Sequence, residues 1–169
     1  ATCDGAFYRG KNTLVVGGGD VAVEDAIYLA RMCEKVYLVH RRDELRAVKV
    51  LQEKLFATPN IEVIWDSELV DIKGQDFVNQ VVVRNRKSEE ERGIDVDGVF
   101  IAIGSDPNTE FLKGQVEMDK GGYIATGENC MTSVEAVFAA GDLRQKSLRQ
   151  VITACGDGAT AVFAAERYI

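Results

Sequence analysis

The apolar positions of this chain change period repeatedly, and each change marks an element. Thr13-Leu14-Val15-Val16 is a short β-prone run with no room for an amphipathic stripe. Gly17-Gly18-Gly19 follows, then apolar residues at Val23, Ala26, Ile27 and Ala30, which is helical spacing. Val36-Tyr37-Leu38-Val39 reads as a second strand and ends at His40-Arg41-Arg42. Between Asp43 and Phe56 the apolar positions Leu45, Val48, Leu51 and Leu55 predict an amphipathic helix, with Asp43 and Glu44 favouring the dipole of its first turn and Thr58-Pro59-Asn60 stopping it. Ile61 to Trp65 predicts a strand, and Glu68 to Ile72 and Asp76 to Arg84 alternate as half-buried antiparallel strands do. The charged run from Arg84 to Arg92 reads as a solvated hairpin turn. Val99 to Gly104 is a continuous apolar run, the pattern of a buried parallel strand.

Ser105-Asp106-Pro107-Asn108-Thr109 is turn chemistry and the first strong break, so a boundary is expected there. Beyond it come Phe111-Leu112, a glycine-rich hairpin at Gly121 to Ile124 and a polar loop from Glu128 to Glu135. Ala136 to Asp142 predicts a short buried strand running into a turn, and small and apolar residues from Val151 to Ala165 predict a helix. The pattern is α/β: a Rossmann-like nucleotide-binding domain over 1–105, a parallel sheet with an inserted antiparallel hairpin, followed by a segment of a second domain over 106–169.

Composition narrows the class. The chain is 46% hydrophobic and 28% charged with only two prolines, ordinary for a globular protein. A net charge of −7 argues against nucleic acid, which leaves His40 to Arg46 as a local basic patch on an acidic protein. Apolar runs fall far short of a membrane span, and the polar start lacks a signal-peptide core, so the cytoplasm is the expected location. Four cysteines without a C-x-x-C pair do not form a secreted disulfide framework. Cys33, Cys130 and Cys155 read as packing residues, small hydrophobes in effect.

The chemistry concentrates where strand, glycine turn, helix and strand succeed one another, because that unit places a phosphate at a helix N-terminus. The glycines fit G-x-G-x-x-A over Gly17, Gly18, Gly19, Asp20, Val21 and Ala22: Gly17 for the tight turn, Gly19 for close approach to a pyrophosphate, Ala22 for helix–strand packing. An NAD site places a carboxylate on the ribose 2′-hydroxyl about 20 residues further on. That place holds His40, Arg41 and Arg42, with Arg46 after them. Guanidinium forks suit a 2′-phosphate, so the residues read as NADP(H) rather than NAD(H). The plainer alternative is a solvated basic start to a helix.

Five stretches in this order resemble a known family. They are Ala1-Thr2-Cys3-Asp4-Gly5 with Phe7-Tyr8, Val15 to Gly19 with Ala22, His40-Arg41-Arg42 with Arg46, Val137 to Asp142, and Arg149-Gln150 before an apolar helix. The chain resembles low-molecular-weight thioredoxin reductases of the pyridine nucleotide-disulfide oxidoreductase family, and related flavoproteins such as the reductase partner of peroxiredoxins share the pattern. The resemblance implies hydride transfer from NADPH through FAD and a cysteine pair to a thioredoxin-like disulfide protein, in a homodimer. It implies that Cys3 is the flavin-side cysteine and Asp4 the acid that protonates the leaving thiolate. It also implies that Gly141 and Asp142 hold the flavin's ribityl chain, and that Arg149, Gln150 and the Val151 amide face its pyrimidine end. Ile103 and Gly104 count among the cofactor contacts. For Asp142 a turn cap, and for the last helix simple core packing, remain the alternatives. The family begins with a glycine-rich FAD-binding unit and a first cysteine that do not occur here, so the chain is expected to be the C-terminal portion of such a reductase. Two readings follow: part of an enzyme, or a module that binds NADP(H) without turnover.

Overall fold

A computed structural model describes all of residues 1–169. The chain divides into two units, Ala1–Gly104 and Ser105–Ile169.

The first unit is built on a four-stranded parallel sheet. Its strands are β1 (Asn12–Gly17), β2 (Lys35–Val39), β3 (Ile61–Ile64) and β7 (Gly98–Ala102), in the spatial order β3-β2-β1-β7. Alternation along β1 and β2 sends side chains to opposite faces. Val15, Val36 and Leu38 pack with Val23, Ala26, Ile27 and Leu29 of α1 (Asp20–Ala30) and Leu55 of α2 (Lys49–Phe56). Leu14 and Val39 face the other way, onto Val81, Val83 and Ile94. Those last residues belong to a second, antiparallel sheet of β4 (Ser67–Gly74), β5 (Val78–Asn85) and β6 (Glu91–Asp95). Helices, parallel sheet and antiparallel sheet thus form three layers with the core on both faces of the middle one.

Three expectations for this unit change. The helix predicted from Asp43 begins only at Lys49. The amides of Arg46 and Ala47 both donate to the Gly18 carbonyl, at 2.7 and 3.2 Å, so they are unavailable for helical bonds. Leu45 and Ala47 are buried with exposed Arg46 between them, the alternation of extended chain, and Asp43 and Glu44 lie exposed in the loop. The run from Val99 is a parallel strand, paired with β1 from Thr13↔Gly98 to Gly17↔Ala102, but it is an edge strand rather than a buried one. With one neighbour only, it leaves Ile101 58% exposed. The charged stretch after Arg84 holds a third strand, β6, besides its turn; only Ile94 of β6 is buried, so its pattern carries almost no hydrophobic signal.

The second unit has one long element, α3 (Val151–Tyr168), beside a short 3-10 turn at Glu110–Leu112 and isolated bridges such as Met118↔Ile124 and Met131↔Phe138. The strand predicted at Ala136 to Asp142 is reduced to that last bridge, because a strand requires a neighbour along its length and only Met131 pairs here. A polar knot ties the unit together. Asp157 of α3 accepts from Arg144 Nη1 at 2.8 Å, Lys146 Nζ at 2.9 Å and the Gly141 amide at 3.0 Å. No residue of α3 is buried, which goes against the alternative of a tight core helix, and Cys155 on it is exposed rather than packed as expected. Cys130 is fully buried in its polar loop, at a left-handed φ of 63°, and Cys33 is buried under the parallel sheet as expected.

Candidate functional site

The glycine turn lies between the end of β1 and the start of α1. Gly17 sits at φ 153°, and a Cβ there would strike the Ala102 carbonyl and the Ala22 methyl. Gly17 therefore lets β1, β7 and α1 close together, and Ala22, fully buried, is its counterpart on the helix. Gly18 has a different reason: a Cβ on it would fall on the His40 ring. Gly19 faces open space and is the N-cap of α1, whose first amides receive no side-chain cap. Open space beside uncapped helix-start amides suits a pyrophosphate. Val21 is 63% exposed at the same end.

Asp20 opens α1, and its carboxylate does not point into empty solvent. Its Oδ1 accepts from the Val48 amide at 2.8 Å, on the loop that carries the arginines.

That loop leaves β2 at His40. His40 is buried at 4% exposure, with its ring edge-on to Trp65 at 6.5 Å and its Nε2 without a hydrogen-bond partner. Burial holds its imidazole below the ordinary value of 6.5, with Arg46 and Arg42 adding to the effect against the carbonyls of Glu44 and Gly17. His40 is neutral at pH 7, so the positive charge of the motif resides in Arg41, Arg42 and Arg46, all exposed.

A cleft of about 430 Å³ is bounded by the glycine turn, the arginine loop and the two sheets, and Gly17, Gly18, His40, Arg41, Arg46 and Ile103 all line it. Arg42 does not line it; its carbonyl accepts from the Asp66 amide at 3.2 Å. Gly104 lies just beyond, at φ 107°. Ser67, Glu68, Leu69 and Ile101 also line the cleft and carry no motif that would have singled them out. Their only signal was position, on the strand that follows Trp65 and on the edge strand. Glu68 is paired with Arg84 at 2.6 Å.

Cys3 and Asp4 precede a 3-10 turn, Gly5–Tyr8, that is anchored to the first unit. The Gly5 amide donates to the Ala1 carbonyl at 2.8 Å, and Tyr8 meets Phe100 of β7 edge to face at 5.3 Å. Cys3 is exposed at the outer surface of this turn.

In the second unit the Gly141–Asp142 turn stands over the start of α3. Asp142 is exposed, 3.7 Å from Lys146. Arg149 lies 3.8 Å over the Tyr123 ring and donates to the Asp142 carbonyl at 3.3 Å. Gln150 is the N-cap of α3 and forms a reciprocal capping box with Thr153, which leaves Val151 82% exposed at the helix start. An exposed carboxylate and helix-start backbone, gathered at one turn, fit a hydroxylated, anion-bearing ligand.

The family model for pyridine nucleotide-disulphide oxidoreductases matches residues 2–158. Along its whole length the chain is 48% identical to a thioredoxin reductase of Peptoclostridium acidaminophilum, of which it covers 56%. The crystal structure of thioredoxin reductase from Streptococcus pyogenes superposes with a TM-score of 0.89 at 46% identity, over 98% of this chain and 54% of that one. A thioredoxin reductase from Giardia duodenalis gives 0.83 at 42%, over 99% and 56%. The chain spans about half the length of the curated relatives it matches.

Proposed function

The chain belongs to the pyridine nucleotide-disulphide oxidoreductase family, and on that premise we propose that its first unit binds NADP(H) for a thioredoxin-reductase-like flavoenzyme. The second unit is the C-terminal segment of that enzyme's FAD-binding domain. The activity proposed for the whole protein is transfer of a hydride from NADPH, by way of FAD and a cysteine pair, to a thioredoxin-like protein disulfide. The observation that carries the reading is convergence: the glycine turn and Arg41 and Arg46 line one cleft, with no acid at the end of β2.

Each residue's part follows from its place. The uncapped start of α1, beyond Gly19, holds the pyrophosphate. Arg41 and Arg46, with Arg42 behind them, neutralise the 2′-phosphate, and the aliphatic wall of Leu69, Ile101 and Ile103 excludes water from the rest of the dinucleotide. In the second unit Asp142 would hold the ribityl hydroxyls, and the Val151 amide at the start of α3 would face the pyrimidine end. Flavin, when bound, accepts the hydride and delivers two electrons to a disulfide. Cys3 would be the flavin-side member of the cysteine pair, the sulfur that leaves as thiolate when the pair's disulfide is broken, with Asp4 beside it to protonate it.

The sole tryptophan, Trp65, packs edge-on against His40, which lines the cleft, so its emission is expected to respond to occupancy. Titration with NADPH should quench it at concentrations where NADH has little effect. Equal response to both nucleotides, or to neither, overturns the NADP(H) reading. Yellow protein that reduces a disulfide dye with NADPH places turnover in this chain; colourless protein that still binds NADPH restricts the chain to binding.

A further inference from the structure

We propose that Asp20 is a positioning residue for cofactor selectivity, acting through the arginine loop rather than on the nucleotide itself. The inference rests on the reading of the first unit as an NADP(H) site.

A carboxylate in the first turn of α1 is at first sight misplaced. It stabilises the helix dipole, yet it stands where a pyrophosphate is expected and repels it. The structure gives it a different task. Three successive amides of the arginine loop are drawn to the glycine turn: Arg46 N and Ala47 N reach the Gly18 carbonyl at 2.7 and 3.2 Å, and Val48 N reaches Asp20 Oδ1 at 2.8 Å. Val48 is also the N-cap residue of α2, where it has no side-chain oxygen to offer. Asp20 thus joins the beginning of α1 to the beginning of α2, and the stretch between β2 and that joint carries Arg41, Arg42 and Arg46. The far side of the same loop is held by the antiparallel sheet, where Arg86 Nη1 donates to the Arg41 carbonyl at 3.3 Å. From α2, Gln52 Nε2 donates to the carbonyls of Leu45 and Ala47 at 3.3 and 2.6 Å; of the bonds that join the loop to the glycine turn and α1, only Asp20's is made by a side chain.

The two roles a carboxylate could play here move binding in opposite directions. As a mere negative charge, its removal strengthens NADPH and NADH alike, and Asp20→Ala and Asp20→Asn behave identically. As a tether, its loss lets the loop drift, and only the contact with the 2′-phosphate suffers. Asparagine keeps an oxygen that accepts from the Val48 amide; alanine does not.

The test is nucleotide titration of the full chain and its two variants, after circular dichroism has shown all three folded. The expected result is that Asp20→Ala weakens NADPH and 2′-AMP on the order of fivefold while NADH changes little, and that Asp20→Asn recovers the selectivity. Equal changes for both nucleotides, or identical behaviour of the two variants, overturn the proposal. Protection of the Val48 amide from hydrogen exchange supplies an independent reading. It should be retained in Asp20→Asn and lost in Asp20→Ala, and equal protection in both overturns the tether. If the unmodified chain binds no NADPH, the function reading fails on its own, and the exchange of Val48 still decides whether Asp20 holds the loop.

Discussion

Gly18 and His40 occupy adjoining space so closely that a methyl group on the glycine would fall on the imidazole ring. The middle glycine of the triplet is therefore set by its neighbour just past the end of β2, not by the nucleotide. Gly18→Ala is expected to destabilise the first unit by about 1–3 kcal/mol through overpacking. Shortening the partner should relieve it, so Gly18→Ala/His40→Ala should cost less than the sum of the two single changes. Urea unfolding of the three variants measures this, and strict additivity would show that the ring and the turn do not compete for space.

Arg41 lines the cleft from the loop that would read a 2′-phosphate. Arg41→Ala should weaken NADPH by on the order of 1.5–3 kcal/mol, as for loss of a charge-assisted contact, and NADH far less. Calorimetric titration with both nucleotides checks it; an equal loss for the two refutes the assignment.

The buried His40 should make the first unit sensitive to mild acid. Its folded pKa lies below the ordinary 6.5, chiefly through burial, so the unfolded chain takes up this proton more readily than the folded one. The contribution of neutral His40 is whole above about pH 6.5 and is lost as the pH falls below it. Between about pH 7.5 and 5.5 the melting temperature should drop further in the unmodified chain than in His40→Asn. Parallel profiles would remove His40 from the account.

Asp157 holds three partners at once, and it, Arg144 and Lys146 are all largely shielded, with side chains 14%, 13% and 10% exposed. Asp157→Ala removes the shared carboxylate from two near-buried cations and the Gly141 amide, at a cost on the order of 2 kcal/mol. Faster hydrogen exchange in α3 and at Gly141 of the full chain is the expected sign, and unchanged exchange would count against the knot. Lys146, with the Gly141 amide and Arg144, keeps the carboxyl below its ordinary 3.8, so this support persists at higher pH and is lost only as the pH falls through the lowered value.

What could be read from the sequence was what local periodicity encodes. The unit from Thr13 to Val39 is legible because its strands face core on both sides and its helix repeats its apolar positions at full spacing. The loop from Arg41 to Val48 is not, because its course follows from hydrogen bonds to Gly18 and Asp20, distant in sequence, while Leu45 and Val48 imitate helical spacing. Strand β6 escapes notice since a single buried residue, Ile94, cannot make an alternation. Ile101 misleads in the opposite sense: an apolar residue in a parallel strand suggests burial, and only the strand order reveals an edge. In the candidate site, Gly17, Gly18, His40, Arg41 and Arg46, singled out by their motifs, line one cleft, whereas Ser67, Glu68 and Leu69 arrive there by topology alone.

The bare helix α3 has a colloidal consequence. Val151, Ile152, Val162 and Phe163 are 82, 77, 70 and 58% exposed, on a chain whose net charge is −7. At low ionic strength that charge keeps molecules apart; added salt shortens the reach of the repulsion to about 10 Å at 0.1 M while leaving the attraction between oily surfaces intact. This chain should therefore salt out early, and dilute, salt-poor buffers should keep it dispersed.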